Sequence, residues 1–317
     1  VTCIDVDHTK IATLNDGRSP LYEPGLDELL TIGIASGRLR FTTEISEAAA
    51  SHVIFIAVGT PTRADGTPDV DQVSEVARAI GRAIFESPDD HTRVVVNKST
   101  VPVGSAAWVA SIISEGQRVH ASRPAARGPE PGVEVEIPPD ARFVMASNPE
   151  FLRQGSAIYD TLFPDRIIVG ATDQRAFSAL RDVYAPIQAQ HFTVPAGVAT
   201  RPEGLASVPI VETDPASAEM IKYTANAFLA TKISFANEIA NICERVGADI
   251  SEVMHGVGLD KRIGPRFLNA GVGWGGSCLG KDIAVLIGMA SKQEYVPELL
   301  NAAAAVNRRV IKKYRTA

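Results

Sequence analysis

Short runs rich in β-branched residues alternate with helical stretches along the first half of the chain. VTCIDV (1–6), HVIFIAV (52–58), TRVVVNKS (92–99), ARFVMAS (141–147) and DRIIVGA (165–171) read as strands. Their apolar residues are continuous rather than alternating with polar ones, the pattern of strands buried on both faces. Stretches such as Val70 to Phe85 supply the helices between them. Together they predict an α/β fold, a doubly wound parallel sheet covered by helices on both sides.

The pattern changes at residue 214. Asp214 is suited to cap a helix and Pro215 to open one, no Gly or Pro interrupts Ala216 to Val246, and Gly247 is placed to end it. This predicts one helix of about 32 residues, roughly 47 Å long at 1.5 Å per residue. Ile221, Ala225, Phe228, Leu229, Phe235, Ile239, Ile242 and Val246 recur at helical spacing. A helix this long outruns one small core, so it is expected to connect domains and to pack against a second subunit, giving a homodimer or higher homo-oligomer through residues 215–246. The expected domains are 1–213 and a helical 214–317, which ends in the basic run NRRVIKKYRTA. Residues 116–140, rich in Pro, Gly and Arg, read as a polar loop, and 194–209 as a second irregular stretch.

Composition narrows the function classes. The 317 residues are 45% hydrophobic and 21% charged, an ordinary globular balance with room for two cores. A formal net charge of −6 argues against a general nucleic-acid binder. No apolar run approaches the roughly 18 residues that span a bilayer, and the opening VTCIDVD is not a secretory signal. Cysteines stand only at 3, 243 and 278, which suits a reducing cytoplasm better than a disulfide framework or zinc site. The six histidines form no HxxxH or HExxH pattern, so no metal site is expected.

The strongest chemical signal is GVGWGGSCLGKD (271–282). A thiol where a glycine-rich loop opens a helix meets free backbone N–H groups and the positive end of the helix dipole, which favour a nucleophilic thiolate at Cys278. Elsewhere the signals are weaker. Asp5 ends a strand, where a carboxylate can accept hydrogen bonds from ribose hydroxyls, though acids end many strands. GTPTRADGTPDV (59–70) and KSTVPVGS (98–105) follow strands at the ligand edge of an α/β sheet, and turn formation alone would also explain them. SNPEFLRQG (147–155) presents Glu150 at the same edge, either a general base or a solvated charge. Lys222 and Asn226 share one helix face at i and i+4; they suit a developing oxyanion, but their spacing alone favours a face in water.

Taken together these segments resemble the nucleotide-sugar dehydrogenase family, the UDP-glucose and GDP-mannose 6-dehydrogenase group. The resemblance covers nearly the whole chain: LYEPGLDELL (21–30), VGTPTRADGTPDV (58–70), KSTVPVG (98–104), SNPEFLRQGSA (147–157), FPDRIIVG (163–170), residues 217–249, DKRIGPRFLNAGVGWGGSCLGKD (260–282) and NAAAAVNRR (301–309). It implies a Rossmann-like sheet, a long connecting helix and a helical central domain, with NAD as cofactor. The implied reaction is four-electron oxidation of a sugar C6 alcohol to a carboxylate, with UDP-glucose giving UDP-glucuronate. Cys278 would be the nucleophile, with Lys222, Asn226, Glu150, Asp282 and Thr100 at the other catalytic positions. Asp5, Lys10, Gly59, Thr60, Pro61, Ser99, Thr100, Gln154 and Lys281 fall at cofactor positions, and Tyr22, Glu23 and Pro24 in a segment near the cofactor. Phe151, Leu152, Arg153, Lys222, Asn226, Arg262, Phe267 and Gly273 fall at substrate positions, with Arg262 implied to reach the sugar bound by a neighbouring subunit.

The chain departs from the family pattern in places. The resemblance implies a preceding strand with a GxGYVG turn and a further nucleotide-gripping domain after residue 317, and without them little activity is expected. Gln154 stands where the family usually has Glu, and the 116–140 insertion is longer than usual. The open alternatives are GDP-mannose or UDP-N-acetylmannosamine as the sugar, a two-electron dehydrogenase of the 6-phosphogluconate or hydroxyacid type, and a non-catalytic dimeric module.

Overall fold

The computed structural model describes residues 1–61, 63, 67–117, 128, 129, 131, 132, 141–195, 197, 198 and 200–315, apart from the side chains of Ser277 and Arg315. Its contacts form two compact units, Val1–Thr60 with Val70–Glu219, and Pro61–Asp69 with Met220–Ala317.

In the first unit, β1 (Thr2–Ile4) pairs in parallel with β2 (Arg40–Thr42) as a two-stranded sheet, Cys3 opposite Phe41. Helices α1 (His8–Asn15) and α2 (Leu26–Ala35) cover it, and Ile11, Leu30 and Phe41 form their shared core. Then follow β3 (Val53–Ile56), α3 (Asp71–Glu86), β4 (Arg93–Asn97), α4 (Ser105–Gln117), β5 (Phe143–Ser147), α5 (Ala157–Leu162), β6 (Ile167–Ala171), α6 (Gln174–Gln188) and β7 (Ile210–Thr213). The five strands β3 to β7 pair in chain order. One face, with Ile54, Ile56, Val95, Phe143 and Met145, packs on α3 and α4; the other, with Val94, Val96, Val144, Ala146 and Val169, packs on Leu180 of α6. Continuous apolar strands therefore do serve two covered faces, as the sequence predicts.

One pairing departs from that expectation. β3, β4 and β5 are parallel, as are β6 and β7, but β6 runs antiparallel to β5. The only helix between them, α5, has six residues. It covers about 9 Å at 1.5 Å per residue, whereas a five-residue strand rises about 17 Å, so it does not carry the chain back to the start of the sheet. β2 and β7 went unpredicted because neither has a hydrophobic run: β2 buries only Phe41, and β7 buries none of its four residues. Of the loop expected at 116–140, residues 116 and 117 end α4, and most of the rest lies outside the described residues.

The long helix α7 (Pro215–Val246) has the predicted bounds. Asp214 Oδ1 accepts from Ser217 N at 2.8 Å, and the hydrogen bonds from Ser217 hold this carboxyl below the usual range. At the far end Gly247, with φ +75°, and Ala248 both donate to Cys243 O. The first turn lies directly on β6. A Cβ at Gly170 would stand 2.5 Å from Ala218 Cβ and 2.8 Å from Asp214 O. In the second unit Tyr223, Ala227 and Ala230 of α7 pack with Ile283, Val285 and Leu286 of α9 (Gly276–Lys292) and Ala304 of α10 (Glu298–Arg315). Between α7 and α9, α8 (Ile250–Gly258) buries Met254 with Ala236 and Leu268. Among the described residues no helix is long and apolar enough to cross a membrane.

Gly170→Ala should overpack this contact and cost about 1–3 kcal/mol, read as a lowered denaturant midpoint at unchanged m-value. An unchanged midpoint would show that the first turn of α7 is free to move off the strand.

Candidate active site

In the second unit the glycine-rich loop is tied down before it delivers its thiol. Gly273 has φ +92°, and a Cβ there would stand 2.4 Å from Asn307 Oδ1, so the turn excludes a side chain. Asn307 on α10 accepts from Trp274 N at 2.8 Å and donates to Trp274 O at 2.9 Å. The Trp274 indole donates to Ser234 Oγ on α7 (2.8 Å), and Asn237 Oδ1 accepts from Gly271 N (2.9 Å). Helix α9 then begins with Gly275 at its cap, which offers no side-chain acceptor to the first amides. Cys278 stands exposed in that first turn.

Asp282, one turn beyond Cys278, is fully buried. Its Oδ2 accepts from Asn226 Nδ2 at 2.5 Å, and Oδ1 forms an ion pair with Lys281 Nζ at 3.2 Å. Lys222, one turn before Asn226 on α7, is 5% exposed. The reading of Lys222 and Asn226 as a solvated face is therefore corrected: the helix turns this polar pair inward, because Tyr223, Ala227 and Ala230 beside it face α9 and α10. Arg262 is exposed and forks onto Asp260, 2.6 Å at the closest approach. Phe267, with φ +65°, lies in the connection between α8 and α9. Pro61 O accepts from Asp69 N at 2.7 Å, and Arg63 pairs with Asp69 at 3.0 Å.

The first unit gathers its expected residues at strand carboxyl ends. Asp5 follows β1 and pairs with Lys10 Nζ at 2.6 Å. Burial alone would raise its carboxyl, but hydrogen bonds from Lys10 and the amides of Asp7 and Val6 bring it below the usual range. An ionised acceptor beside an ammonium at this edge fits the hydroxyls of an adenosine ribose. Thr60, next to Gly59, donates through Oγ1 to Thr100 O at 2.7 Å, and Ser99 Oγ donates to Val58 O at 2.8 Å, so the loops after β3 and β4 form one surface. Lys98 donates to Asn148 Oδ1 (3.1 Å) and to Tyr184 OH (3.3 Å), and Tyr184 OH donates to Asn148 Oδ1 (2.5 Å). Burial pushes the Tyr184 phenol up to about 12, which keeps it a donor.

The segment after β5 is also braced. Glu150, half-buried, accepts from Leu152 N at 2.6 Å. The Arg166 guanidinium stacks 3.7 Å above the Phe151 ring. Arg153 forks onto Asp160, and Gln154 beside it is exposed. Glu23, from the YEPG segment, accepts from Gly155 N (2.7 Å) and Ala157 N (2.9 Å).

Sequence reasoning passed over Glu219, Asn148 and Tyr184. An acid on a helix or a Tyr among apolar residues gives no local signal, since burial comes from segments far away in the chain. Glu219 is 4% exposed and accepts from Gly104 N (2.8 Å), Ala106 N (3.0 Å) and Ser147 Oγ (2.9 Å). Among the described residues no group of three or more His, Cys, Asp or Glu is placed to hold a metal ion.

Comparison with known proteins gives consistent matches. Residues 1–188 match the NAD binding domain of the UDP-glucose/GDP-mannose dehydrogenase family, and residues 216–309 its central domain. UDP-glucose 6-dehydrogenase YwqF of Bacillus subtilis is 44% identical over 97% of this chain and 60% of the relative. A UDP-glucose 6-dehydrogenase of Rhizobium meliloti is 42% identical over 97% of this chain and 62% of the relative. The solved UDP-glucose dehydrogenase of Pyrobaculum islandicum superposes with a TM-score of 0.80 at 38% identity, covering 98% of this chain and 62% of that one. The chain thus spans about 60% of the length of the curated relatives it matches.

Burial pushes the Glu219 carboxyl up to about 7, against hydrogen bonds from Ser147, Gly104, Ala106 and Ser105. A carboxyl raised in the fold above its unfolded value of 4.5 contributes stability that is complete below that value and is lost as pH rises through 7. Relative to Glu219→Gln, the wild type should therefore lose about 2 kcal/mol of unfolding free energy between about pH 5 and 8. Denaturant titrations at several pH values measure the gap, and a constant gap contradicts the assignment.

Proposed function

Since the chain belongs to the UDP-glucose/GDP-mannose dehydrogenase family, we propose that it oxidises the C6 alcohol of UDP-glucose to the carboxylate through a covalent intermediate on Cys278. The observation that carries this reading is the arrangement on α7 and α9: an exposed thiol in an uncapped first helical turn, a buried Asp282 one turn on, and its hydrogen bond to Asn226, one turn from the buried Lys222. A two-electron alcohol oxidation has no use for such a thiol; a four-electron one does, because the aldehyde must be retained and oxidised again.

NAD, when bound, accepts a hydride at each of the two oxidations. Asp5 and Lys10 suit its adenosine ribose, and Gly59, Thr60, Pro61, Ser99, Thr100, Gln154 and Lys281 are the further proposed cofactor residues. In the first oxidation a base takes the hydroxyl proton as the C6 hydride departs, leaving an aldehyde. The Cys278 sulfur adds to that carbonyl to give a thiohemiacetal, whose C–H supplies the second hydride and leaves a thioester. Water, deprotonated by Glu150 or by a base linked to Asp282, adds to the thioester and releases the acid and the thiol. Per sugar, one alcohol, one water and two NAD become one carboxylate, two NADH and three protons. The negative oxygen of each tetrahedral stage is assigned to Lys222 and Asn226, each donor contributing on the order of 3 kcal/mol when aligned. Thr100 is assigned a catalytic place near the reacting centre, and Phe151, Leu152, Arg153, Phe267 and Gly273 complete the proposed substrate surface, with Arg262 directed to a neighbouring subunit.

A second copy of the chain is the proposed cover for α7. Phe228, Phe235 and Ile242 recur every seven residues and are 64%, 51% and 50% exposed, and Val246 below them is 70% exposed. Phe235 also lines a groove of about 490 Å³ between α7 and α10, which contains none of the site residues. Such a contiguous apolar stripe fits an isologous helix interface. Cys3, Cys243 and Cys278 are in no disulfide, which suits a reducing compartment, and we place the reaction in the cytoplasm.

With the intact protein, UDP-glucose should yield two NADH per sugar, while Cys278→Ser should lower net acid formation by at least about a thousandfold. One NADH per sugar, or undiminished acid from the variant, contradicts the scheme; faster turnover of GDP-mannose would reassign the substrate. Phe228→Glu with Phe235→Glu should convert the dimer to monomer in light scattering at micromolar concentration, and an unchanged mass would place the interface elsewhere.

A further inference from the structure

The scheme above makes no use of Glu219, and its surroundings define what it does. Its donors come from two separate segments, among them Gly104 and Ala106 at the start of α4 and Ser147 at the end of β5. The first segment carries Ser99 and Thr100, and the second leads within three residues to Glu150. A pocket presenting backbone N–H groups and a hydroxyl asks for acceptors, and both Glu219 oxygens accept there, which an amide with a single acceptor oxygen does not match.

The start of α4 explains why a distant residue is needed. Ser105 is the residue type that ordinarily caps a helix through its hydroxyl. Here it is the first residue of the helix itself, and its Oγ donates to Pro102 O at 2.5 Å, which stabilises the turn before the helix. Gly104, with φ +94°, aims its N–H at Glu219 Oε2, and Ala106 N–H meets Oε1. The cap of α4 is thus supplied from α7, at the positive end of the α4 dipole, and the same Oε1 holds Ser147.

We propose that Glu219 is a positioning residue for the oxidation: its carboxylate pins the Thr100 segment and the Glu150 segment to the first turn of α7 and fixes their geometry without touching substrate. The role rests on the reading in the preceding subsection. Gln at this position has one acceptor oxygen and an NH₂ that faces donors, so it cannot keep all three bonds. Asp keeps the acceptor set on a shorter stem.

The test uses the intact protein and the variants Glu219→Gln, Glu219→Asp and Ser147→Ala. Loss of one or two hydrogen bonds from this anchor predicts at least about tenfold faster hydrogen exchange at the Gly104 and Ala106 amides in Glu219→Gln. The same variant should show kcat lowered by about tenfold or more with KM for UDP-glucose within about threefold, because preorganisation is lost and substrate contacts remain. Glu219→Asp should recover part of kcat. Should Glu219→Gln not fold, Ser147→Ala removes one donor and leaves the carboxylate, and a smaller kcat loss at unchanged KM is then the expected result. Wild-type exchange at 104 and 106 in Glu219→Gln, or kcat unchanged in both Glu219→Gln and Ser147→Ala, overturns the proposal. If the wild type forms no NADH with any nucleotide sugar, the functional reading fails by itself, and the exchange rates still decide whether Glu219 is the anchor.

Discussion

The buried carboxylate of Asp282 is the interaction around which the thiol-bearing part of this protein is organised. A fully buried carboxylate depends on its partners: here Asn226 donates to Oδ2, while Oδ1 has the Lys281 ion pair but accepts no hydrogen bond among the described residues. The bond to Asn226 fixes the register of α9 against α7, and Cys278 lies one turn away on the same helix. The loop that leads into α9 is fixed from the other side by Asn307, Ser234 and Asn237. Position of the sulfur therefore follows from polar contacts between helices, while the apolar packing of Tyr223, Ala227 and Ile283 supplies the burial that makes those contacts strong.

The first unit uses the same device on a sheet. Loops that leave strand ends carry the polar chemistry, and several are held by hydrogen bonds to other segments of the unit rather than by their own strands. Thr60 binds the backbone of Thr100, Glu23 binds the backbone of Gly155 and Ala157, and Lys98 and Tyr184 converge on Asn148. Such cross-links restrict loops that would otherwise be the most mobile part of an α/β domain, which suits the proposal that one bound substrate undergoes two successive hydride losses.

Much of this was legible in the sequence, and the reason differs by element. The bounds of α7 follow from Asp214, Pro215 and Gly247, because caps act locally and their residues are distinctive. β4, β5 and β6 were visible because strands buried on both faces carry unbroken apolar runs, and β1 and β3 carry apolar, β-branched runs although they are only partly buried. β2 and β7 were not, since edge-like strands carry no such run. The antiparallel turn of β6 depends on the short length of α5, a helix boundary that single-sequence patterns fix poorly. In the site, Cys278 stood out through its glycines. Spacing alone read Lys222 and Asn226 as a solvated face, and burial by α9 and α10 reverses it. Glu219 gave no signal at all, because its partners lie more than a hundred residues away for α4 and 72 away for Ser147.

The central claim is that Cys278 becomes covalently bonded to the sugar carbon that is oxidised. Rapid acid quench of the intact protein turning over UDP-glucose with NAD, followed by peptide mass spectrometry, tests it directly. The account predicts a substrate-derived thioester on the peptide carrying Cys278, cleaved by hydroxylamine and absent when NAD is withheld. An unmodified Cys278 throughout turnover, with acid still accumulating, would contradict it.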